Sequence, residues 1–339
     1  MKKTSLQFTT KKVDYYFDTS FADLDLLIPK EQQIFITDEN VSQSLAPKFK
    51  GRKLITVPAG EAHKNQSTVD SIIHQLMGLG ADRQSFLIGV GGGVVTDLTG
   101  YVATVYMRGI RFGFVPTTVL AMVDASIGGK NGIDVGAYKN LVGTIQQPAF
   151  LLYDVSLLKS LPTEEWVNGF AEIIKHAAIR DAKMFSELEN GSVPKYRRDK
   201  AMMSALIRRN ALLKSKVVQE DEFENSIRRL LNFGHTIGHA IETNNMLSHG
   251  HAVAIGMVEA AKLSGTLKKF KDAGRLTALI DRYGLPTEAY YDKIQAIAML
   301  RMDKKKVNTS MNFVLLEKIG KAVVEPIPLD TLEELIKQL

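Results

Sequence analysis

The sequence predicts two domains, an α/β domain with a doubly wound parallel sheet and a mainly α-helical domain. Short apolar runs alternate with polar, helix-like stretches in the first half of the chain, and this alternation is typical of a parallel sheet. From about residue 157 onward the apolar residues instead recur at helical spacing. The length of 339 residues also exceeds the size at which one hydrophobic core keeps growing. We therefore expect an α/β domain over 1–156 and a helical domain over 157–339.

Four apolar runs that end in turn residues are predicted to be strands of the sheet. They are 33–37, 53–57, 85–90 and 112–115, with a helix near 67–79 between the second and the third. Ligands of such sheets bind at the carboxyl ends of the strands, so the residues directly after each run are candidates for ligand binding.

The second half is predicted to consist of helices and one short pair of strands. Helical periodicity covers 164–178, 199–220, 227–243, 251–268, 273–283 and 330–339, with prolines in or near the connections. An apolar run at 312–317, followed by residues 319–320, predicts the strand pair.

Composition restricts the kinds of partner and site. Cysteine is absent, which excludes disulfides, thiolate metal ligands and a cysteine nucleophile, so any metal must be bound by histidine and carboxylate. The net charge is +6, but the basic residues are spread along the chain, and we expect no nucleic-acid partner. No apolar run approaches the roughly 20 residues that span a bilayer, and the first ten residues lack the apolar core of a signal peptide. We expect a soluble, cytoplasmic protein without a membrane partner.

The third predicted strand runs into three glycines, Gly91 to Gly93, and then into a helix-like segment. Glycines let the backbone approach a diphosphate, and the helix behind them directs free N–H groups and a partial positive charge at the anion. The loop is neither a Walker A loop nor the standard dinucleotide fingerprint, since with Gly89 and Gly91 as its first glycines the third position is Val94. Asp38 follows the first strand, where a carboxylate could accept hydrogen bonds from a ribose. These features favour a nucleotide on a Rossmann-like sheet over a tight turn without a ligand.

Four of the seven histidines lie between residues 235 and 251. His235 and His239 have i, i+4 spacing, which places both imidazoles on one face of a helix, where they could bind one divalent metal. Thr236 stands where metalloproteases of the His-Glu-x-x-His type carry their general base, which argues against a peptidase. Spacing alone leaves open that both histidines are ordinary surface or core residues.

A further metal ligand is available in the apolar, helix-like segment 169–177. This segment contains Glu172, Lys175 and His176, and charged side chains in such a setting are usually paired or functional. A carboxylate could join imidazoles on a borderline cation. The alternative is a surface glutamate beside a lysine whose ammonium reaches water.

Seven sequence strings, taken together, resemble the 3-dehydroquinate synthase family. They are Gly91–Gly100, Met107–Gly109, Pro116–Lys130, Lys139–Asn140, Asn168–Lys175, Leu231–His239 and Asp303–Lys305, and they occur in family order over about residues 35 to 320. The resemblance implies conversion of 3-deoxy-D-arabino-heptulosonate 7-phosphate, a small anionic sugar phosphate, into 3-dehydroquinate and phosphate. It also implies bound NAD, a divalent metal that is usually zinc with cobalt as an alternative, a nucleotide-binding α/β domain, a helical metal-binding domain and a homodimer.

The same resemblance implies roles for individual residues. Glu172, His235 and His249 are the expected metal ligands. The expected NAD-binding residues are Asp38, Glu61, Lys64, Gly92, Gly93, Asp97, Thr117, Thr118, Lys130, Lys139 and Ser160. The expected substrate contacts are Lys130, Asn140, His239 and Lys305 for the phosphate, with Arg108 from a neighbouring subunit, Lys214, Arg228 and Asn232 for the carboxylate, and Asp124 and Lys175 for hydroxyl groups near the metal. His239 is also expected to take part in proton transfer.

Two positions depart from the family pattern. His251 stands where the family commonly has glutamate, and Asn225–Ser226 stand where glycine is frequent. His251 leaves open an altered surrounding of the metal, or His251 as a ligand in place of His249.

Three other functional classes are alternatives. Related sugar phosphate cyclases, such as 2-deoxy-scyllo-inosose synthase or a sedoheptulose 7-phosphate cyclase, share the fold, NAD and metal, but the string 123–130 and the pair Arg228 and Asn232 favour 3-dehydroquinate synthase. A metal-dependent alcohol or glycerol dehydrogenase would release NADH and would not need the anion-binding Lys130, Lys214 and Lys305. A non-enzymatic binding module would have no use for a metal site beside a nucleotide loop.

Overall fold

The computed structural model describes residues 1–136, 138–245, 247–291, 293, 297, 306–307 and 310–338. The chain forms two compact units, of which the first combines 1–165 with 200–222 and the second combines 166–199 with 223–339. Residues 200–222 therefore belong to the first unit, although they lie in the helical half of the sequence. The functional domain boundary expected at 156/157 stays a prediction, because these units are defined by packing and not by ligand binding.

The described residues of the first unit form nine strands. They are β1 (Lys2–Gln7), β2 (Lys12–Phe17), β3 (Gln33–Asp38), β4 (Lys53–Val57), β5 (Phe86–Gly91), β6 (Arg111–Pro116), β7 (Lys130–Val135), β8 (Tyr138–Ile145) and β9 (Phe150–Leu152). Seven form one sheet in the order β1-β2-β9-β6-β5-β3-β4, while β7 and β8 pair as a separate antiparallel hairpin. The sheet is parallel except between β1 and β2. The four strands predicted from the sequence form the adjacent parallel segment β6-β5-β3-β4, and the Rossmann-like expectation is confirmed.

The helices predicted at 67–79, 164–178, 199–220, 251–268, 273–283 and 330–339 appear within two residues of these limits, and the described ranges also contain helices that were not predicted. The helices of the described ranges are α1 (Leu24–Leu27), α2 (Glu39–Ser44), α3 (Ala46–Phe49), α4 (Gln66–Gly78), α5 (Gly93–Val105), α6 (Thr163–Arg180), α7 (Ala182–Glu189), α8 (Val193–Arg198), α9 (Lys200–Glu220), α10 (His235–Asn245), α11 (His249–Lys268), α12 (Ala273–Arg282) and α13 (Leu329–Gln338). The strand pair expected near 312–320 is also present and longer than predicted, as β11 (Ser310–Lys318) and β12 (Lys321–Pro328), with β10 (Lys306–Val307) at the edge of β11.

Apolar side chains from both faces of the central strands form the core of the first unit. Every residue of β5 is buried, as expected for a strand that has neighbours on both sides and layers above and below. Phe35 of β3 and Phe86 of β5 pack in the same cluster as Val115 of β6 and Leu152 of β9. The fixed positions of these strands determine where the loops at their carboxyl ends lie.

The prediction of one continuous helix over 227–243 is wrong. A 3-10 turn covers Ile227–Asn232, and α10 begins only at His235. The interruption falls at Gly234, whose φ of +79° lies in the left-handed region that favours glycine. Close packing of α10 and α11 also depends on glycine, since a Cβ on Gly238 would lie 2.9 Å from the Ala252 carbonyl oxygen. This packing brings the first turns of α10 and α11 together.

No helix in the described ranges is long and apolar enough to cross a membrane. The cytoplasmic location expected from the sequence stays a prediction.

Candidate nucleotide and metal sites

The glycine loop joins β5 to α5 with the geometry of an anion cradle. β5 ends at Gly91, Gly92 is the N-cap residue with extended backbone, and α5 begins at Gly93. Because no side chain caps this helix, its first N–H groups are directed at the loop. A Cβ on Gly92 would lie 3.1 Å from Cγ2 of Thr118, and one on Gly93 would lie 3.3 Å from Cβ of Ala125. Larger residues at these two positions would therefore press against Thr118 and Ala125 beside the loop.

The end of β6 places two threonines beside this loop. The Thr117 N–H donates to the Gly91 carbonyl oxygen at 2.9 Å, which ties the two strand ends together. The Thr118 hydroxyl accepts the Ala121 N–H at 3.0 Å. Within the described part of the chain, the buried Thr117 hydroxyl has no hydrogen-bond partner. A buried hydroxyl is costly to leave unsatisfied, so its position beside the glycine loop fits a polar ligand such as NAD.

Lys64 joins several of the expected NAD-binding residues in one charged network. Its ammonium is almost completely buried and lies 2.7 Å from Glu61 Oε1 and 3.5 Å from Asp97 Oδ2. The same Nζ donates to Asn140 Oδ1 at 2.9 Å and lies 3.7 Å from Asp134 Oδ1. Burial lowers the pKa of Lys64, but the surrounding carboxylates outweigh this effect and the net shift is upward. Burial raises the pKa of Asp97 to about 7, although Lys64 opposes the shift.

Asp134 is a member of this network that the sequence prediction missed. It lies in β7, where its neighbours Ile133 and Val135 are apolar. A carboxylate in such a strand is the signal that could have identified it, since charged residues in buried settings are usually paired.

Asp38 and Ser160 are two further expected NAD-binding residues, outside both the network and the glycine loop. Asp38 ends β3, and its Oδ1 accepts the Val41 N–H at 2.9 Å, which caps α2. Burial raises the pKa of Asp38. Ser160 is exposed at the end of the 3-10 turn Val155–Ser160, which follows β9. The structure therefore gives Asp38 the expected strand-end position and adds no contact that supports Ser160.

Two expected substrate residues of the first unit contact each other. Lys214 of α9 lies with Nζ 2.8 Å from the Asp124 carbonyl oxygen and 3.0 Å from its carboxylate. Two others lie at the surface: Lys130 begins β7, and Arg108 is exposed in left-handed backbone conformation with φ of +65°. Lys139 is likewise exposed, in β8.

The expected metal ligands of the second unit come together. Glu172 of α6 is fully buried, and its Oε1 lies 3.4 Å from His235 Nε2 and 3.2 Å from His249 Nε2. One potential ligand atom from each of the three residues lies within 4.8 Å of the other two. Lys175, one turn further along α6, forms an ion pair with the other Glu172 oxygen. The arrangement gathers one carboxylate and two imidazoles around one point.

Two groups of this cluster are in the form that binds a cation, and the third, His249, must lose a proton to do so. Burial raises the pKa of Glu172, but Lys175 and His235 outweigh it and hold the pKa well below its usual range. Burial lowers the pKa of His235, which favours the neutral imidazole that binds metals. Burial also lowers the pKa of His249, but the carboxylates of Glu172 and Glu242 outweigh it and raise that pKa to about 9. One carboxylate with two imidazoles is a donor set for Zn²⁺ or Co²⁺, and the residues fit such an ion.

His249, and not His251, approaches Glu172. Among the described residues, the potential metal clusters of the second unit contain His249, in one case with Glu172 and His235 and in the other with His239 and Glu242. His249 Nδ1 lies 3.8 Å from a Glu242 carboxylate oxygen, the kind of neighbour that orients metal-binding histidines. The i, i+4 spacing thus predicted metal ligands on the correct helix, α10. The structure brings His235 to Glu172 and places His239 in the cluster with Glu242 and His249. Sequence reasoning missed Glu242.

The remaining expected substrate residues of the second unit lie in or near the 3-10 turn Ile227–Asn232. Arg228 is buried, and the Asn232 amide donates from Nδ2 to Glu224 Oε1 at 2.8 Å. Lys305 lies outside the described residues.

Comparison with known sequences identifies the relatives of this chain. A profile described as 3-dehydroquinate synthase N-terminal matches residues 54–168, and one described as 3-dehydroquinate synthase C-terminal matches residues 169–306. The curated 3-dehydroquinate synthase of Thermodesulfovibrio yellowstonii is 42% identical over 79% of this chain and 77% of its own. That of Acetivibrio thermocellus is 35% identical over 95% of both chains.

Solved structures share the fold. 2-deoxy-scyllo-inosose synthase, crystallised with carbaglucose-6-phosphate, NAD⁺ and Co²⁺, matches with a TM-score of 0.86 at 26% identity over 99% of this chain and 100% of that chain. A probable glycerol dehydrogenase from Sinorhizobium meliloti matches with a TM-score of 0.67 at 15% identity over 96% and 94% of the two chains. The fold is therefore shared more widely than any one activity.

Proposed function

The chain belongs to the 3-dehydroquinate synthase family, and from this premise we propose that it converts 3-deoxy-D-arabino-heptulosonate 7-phosphate into 3-dehydroquinate and phosphate. The observation that carries the proposal is the Glu172, His235 and His249 cluster in a chain 42% identical to a curated 3-dehydroquinate synthase. The activity is that of a phosphorus–oxygen lyase that forms a carbocycle.

The first unit holds the residues for NAD. Gly92, Gly93 and the N-terminus of α5 would bind the diphosphate, and the unsatisfied Thr117 hydroxyl would gain a partner. Asp38, at the end of β3, would accept hydrogen bonds from a ribose. The cofactor of the 2-deoxy-scyllo-inosose synthase structure, which is 26% identical, supports the same choice here.

The second unit holds the residues for a divalent metal. Glu172, His235 and His249 would bind it, and the absence of cysteine favours this nitrogen and oxygen set. Zinc is the metal we propose, and cobalt, which the 2-deoxy-scyllo-inosose synthase structure contains, would suit the same donors. When bound, NAD supplies a reversible hydride acceptor and the metal supplies a Lewis acid for the substrate hydroxyl.

The chain's own residues bind and orient the anionic groups of the substrate. Arg228, Asn232 and Lys214 would hold the carboxylate, while His239 would contact the leaving phosphate and move a proton there. Lys130 and Asn140 of the β7–β8 hairpin would bind the same phosphate. Fixing both ends of the substrate favours elimination and the later ring closure, because each step becomes intramolecular within a held geometry.

A homodimer is part of the proposal. Arg108 is exposed at a turn in left-handed conformation, as a residue that reaches a neighbouring subunit would be. Apolar side chains are also exposed along β8, among them Tyr138, Leu141 and Val142. A second copy of the chain would cover such a surface. Sedimentation equilibrium should give twice the monomer mass, and a monomer at micromolar concentration would contradict this part of the proposal.

Two rival activities make different predictions. A related cyclase would act on another sugar phosphate, but the curated relatives named 3-dehydroquinate synthase reach 42% identity, whereas the 2-deoxy-scyllo-inosose synthase is 26% identical. A dehydrogenase would share the fold and accumulate NADH, since it has no step that returns the hydride.

Phosphate release from 3-deoxy-D-arabino-heptulosonate 7-phosphate tests the proposal. The protein is treated with a chelator, supplied with NAD, and assayed with and without added Zn²⁺ while absorbance reports NADH. We expect metal-dependent phosphate release and no accumulation of NADH. Absence of phosphate release would indicate that the substrate is another sugar phosphate. Steady NADH production would identify a dehydrogenase.

A further inference from the structure

The end of the β7–β8 hairpin contains a carboxylate, Asp134, that no comparison and no sequence motif assigns. The pairing of β7 with β8 is regular from Lys130 to Ile133 and shifts in register before Val135. Asp134 lies at this irregularity, with its side chain 16% exposed. A charged side chain that is mostly buried at a break in strand pairing must be stabilised by specific partners.

One of its partners is the backbone of Asn140. The Asn140 N–H donates to Asp134 Oδ1 at 2.7 Å, a short hydrogen bond of the charge-assisted kind. Asn140 has φ of +50°, in the left-handed region that asparagine tolerates better than most residues. The carboxylate therefore stabilises a backbone conformation that would otherwise be uncommon.

Lys64 then fixes the side chain of the same residue. Its ammonium donates to Asn140 Oδ1 at 2.9 Å. An ammonium has donors and no acceptor, so the amide oxygen must face it and the amide NH₂ must face away. Asn140 is exposed, and its two N–H donors are thereby directed from the hairpin outward. A phosphate group, whose oxygens accept hydrogen bonds, is complementary to donors held in this way.

Asp134 also acts on Lys64. The Asp134 N–H donates to the Lys64 carbonyl oxygen at 2.8 Å, and Oδ1 lies 3.7 Å from the Lys64 ammonium. One carboxylate thus orders both the backbone of Asn140 and the cation that orients its amide. Through Lys64, which also contacts Glu61 and Asp97, this arrangement connects to the candidate nucleotide residues.

We propose that Asp134 is a positioning residue for phosphate binding, which holds Asn140 so that its amide NH₂ meets the substrate phosphate. The inference rests on the proposed function for the identity of the sugar phosphate. Its test does not need that substrate, because inorganic phosphate is a probe for the same group.

Calorimetric titration of inorganic phosphate into the NAD-loaded protein tests the role of Asp134. Asp134→Ala should raise the Kd for phosphate about tenfold, as expected when a charged hydrogen bond that orders the binding group is lost. Asp134→Asn retains an oxygen acceptor and should give a smaller increase, about threefold. The Kd for NAD should rise less than the Kd for phosphate in both variants, because Asp134 acts on the candidate nucleotide residues through Lys64, whereas the glycine loop and Thr117 remain. Asp70→Ala, which removes an exposed carboxylate of α4, is the matched control and should bind phosphate as the wild type does.

A double-mutant cycle separates positioning from general stability. Asn140→Gly removes the amide and keeps a residue that adopts positive φ without strain. If Asp134 acts through Asn140, the double variant Asp134→Ala/Asn140→Gly should bind phosphate no more weakly than Asn140→Gly alone. Fully additive effects, an unchanged phosphate Kd in Asp134→Ala, or equal weakening of NAD and phosphate would each overturn the proposal. If Asp134→Ala does not fold, Asp134→Asn alone and with Asn140→Gly completes the same cycle.

The two proposals fail in different ways. The variants could give the expected double-mutant cycle for inorganic phosphate while the wild-type protein releases no phosphate from the heptulosonate substrate. This result would reject the proposed function and retain the role of Asp134. Wild-type protein that turns over normally, together with an Asp134→Ala variant of unchanged phosphate affinity, would reject the role of Asp134 alone.

Discussion

His235 Nε2 lies 3.4 Å from the fully buried Glu172 Oε1, which joins the first residue of α10 to the middle of α6. Removing the imidazole leaves two of the three donors, too few to retain a divalent ion against dialysis. His235→Ala should therefore abolish both zinc retention and turnover. Elemental analysis of dialysed protein and the phosphate-release assay measure the two effects.

His74→Ala is the matched control for this change. His74 is exposed on α4, and its ring contacts the Asp70 carbonyl oxygen at 2.7 Å. Its removal should leave both zinc content and activity unchanged. Full activity and undiminished zinc in His235→Ala would remove His235 from the set of ligands.

Arg228 is buried in the turn Ile227–Asn232, where its guanidinium is expected to bind the substrate carboxylate. A lost charged hydrogen bond costs about 1.5 to 3 kcal/mol, so Arg228→Ala should raise the substrate KM at least about tenfold. Arg229→Ala, at the half-buried next position, should change the KM little. Steady-state kinetics at saturating NAD makes the comparison, and an unchanged KM in Arg228→Ala would exclude Arg228 from the site.

Asp97 contacts Lys64 in the candidate nucleotide site. Asp97→Ala should weaken NAD binding more than substrate binding, because the carboxylate belongs to α5, directly behind the glycine loop. Calorimetry for NAD and steady-state kinetics for the substrate give the two constants. Equal NAD affinity in variant and wild type would contradict the assignment of Asp97 to the cofactor.

The same carboxyl group should make the stability of the ligand-free protein depend on pH. Burial raises the pKa of Asp97 to about 7 in the folded protein, against about 3.9 in an unfolded chain. Between these values the folded state binds more protons than the unfolded state, so this group makes the free energy of unfolding fall as pH rises from about 4 to about 7. Above the folded pKa the loss is complete and its contribution no longer changes.

Asp97→Asn removes this contribution, so the variant should gain stability relative to the wild type as pH rises through that window. Urea unfolding at about pH 5 and about pH 7, followed by circular dichroism of the whole chain, measures the difference. A stability difference between variant and wild type that stays constant with pH would show that Asp97 is ionised throughout.

The sheet was predictable because its signal is local. The central strands β3, β4, β5 and β6 are short apolar runs bounded by turn residues, and each appears within a residue or two of its expected limits. The β7–β8 hairpin was not predicted, because its sequence is rich in glycine, lysine and asparagine and reads as a loop. The role of Asp134 follows from pairing with Asn140 and Lys64, which spacing in the sequence does not contain.

The candidate metal cluster was also only partly predictable, because it depends on contacts between residues that are distant in the sequence. Residue spacing singled out His235 and His239, since i, i+4 positions share a helix face. The structure brings His249 to Glu172 from the start of another helix, and this requires the break at Gly234 and the close approach at Gly238. Residue spacing could not indicate His249, because its contact with Glu172 joins residues 77 positions apart. His249 was predicted from the family resemblance.

The first unit is assembled from two separate stretches of chain, 1–165 and 200–222. A fragment that ends at residue 165 would lack α9 and with it Lys214, so truncation there would expose the apolar surface that α9 covers. During synthesis, the unit can complete its folding only after residue 222 has left the ribosome, by which time residues 166–199 of the second unit have already emerged. Neither unit can therefore be expressed as one uninterrupted piece, and fusions or permutations must respect this interleaved order of assembly.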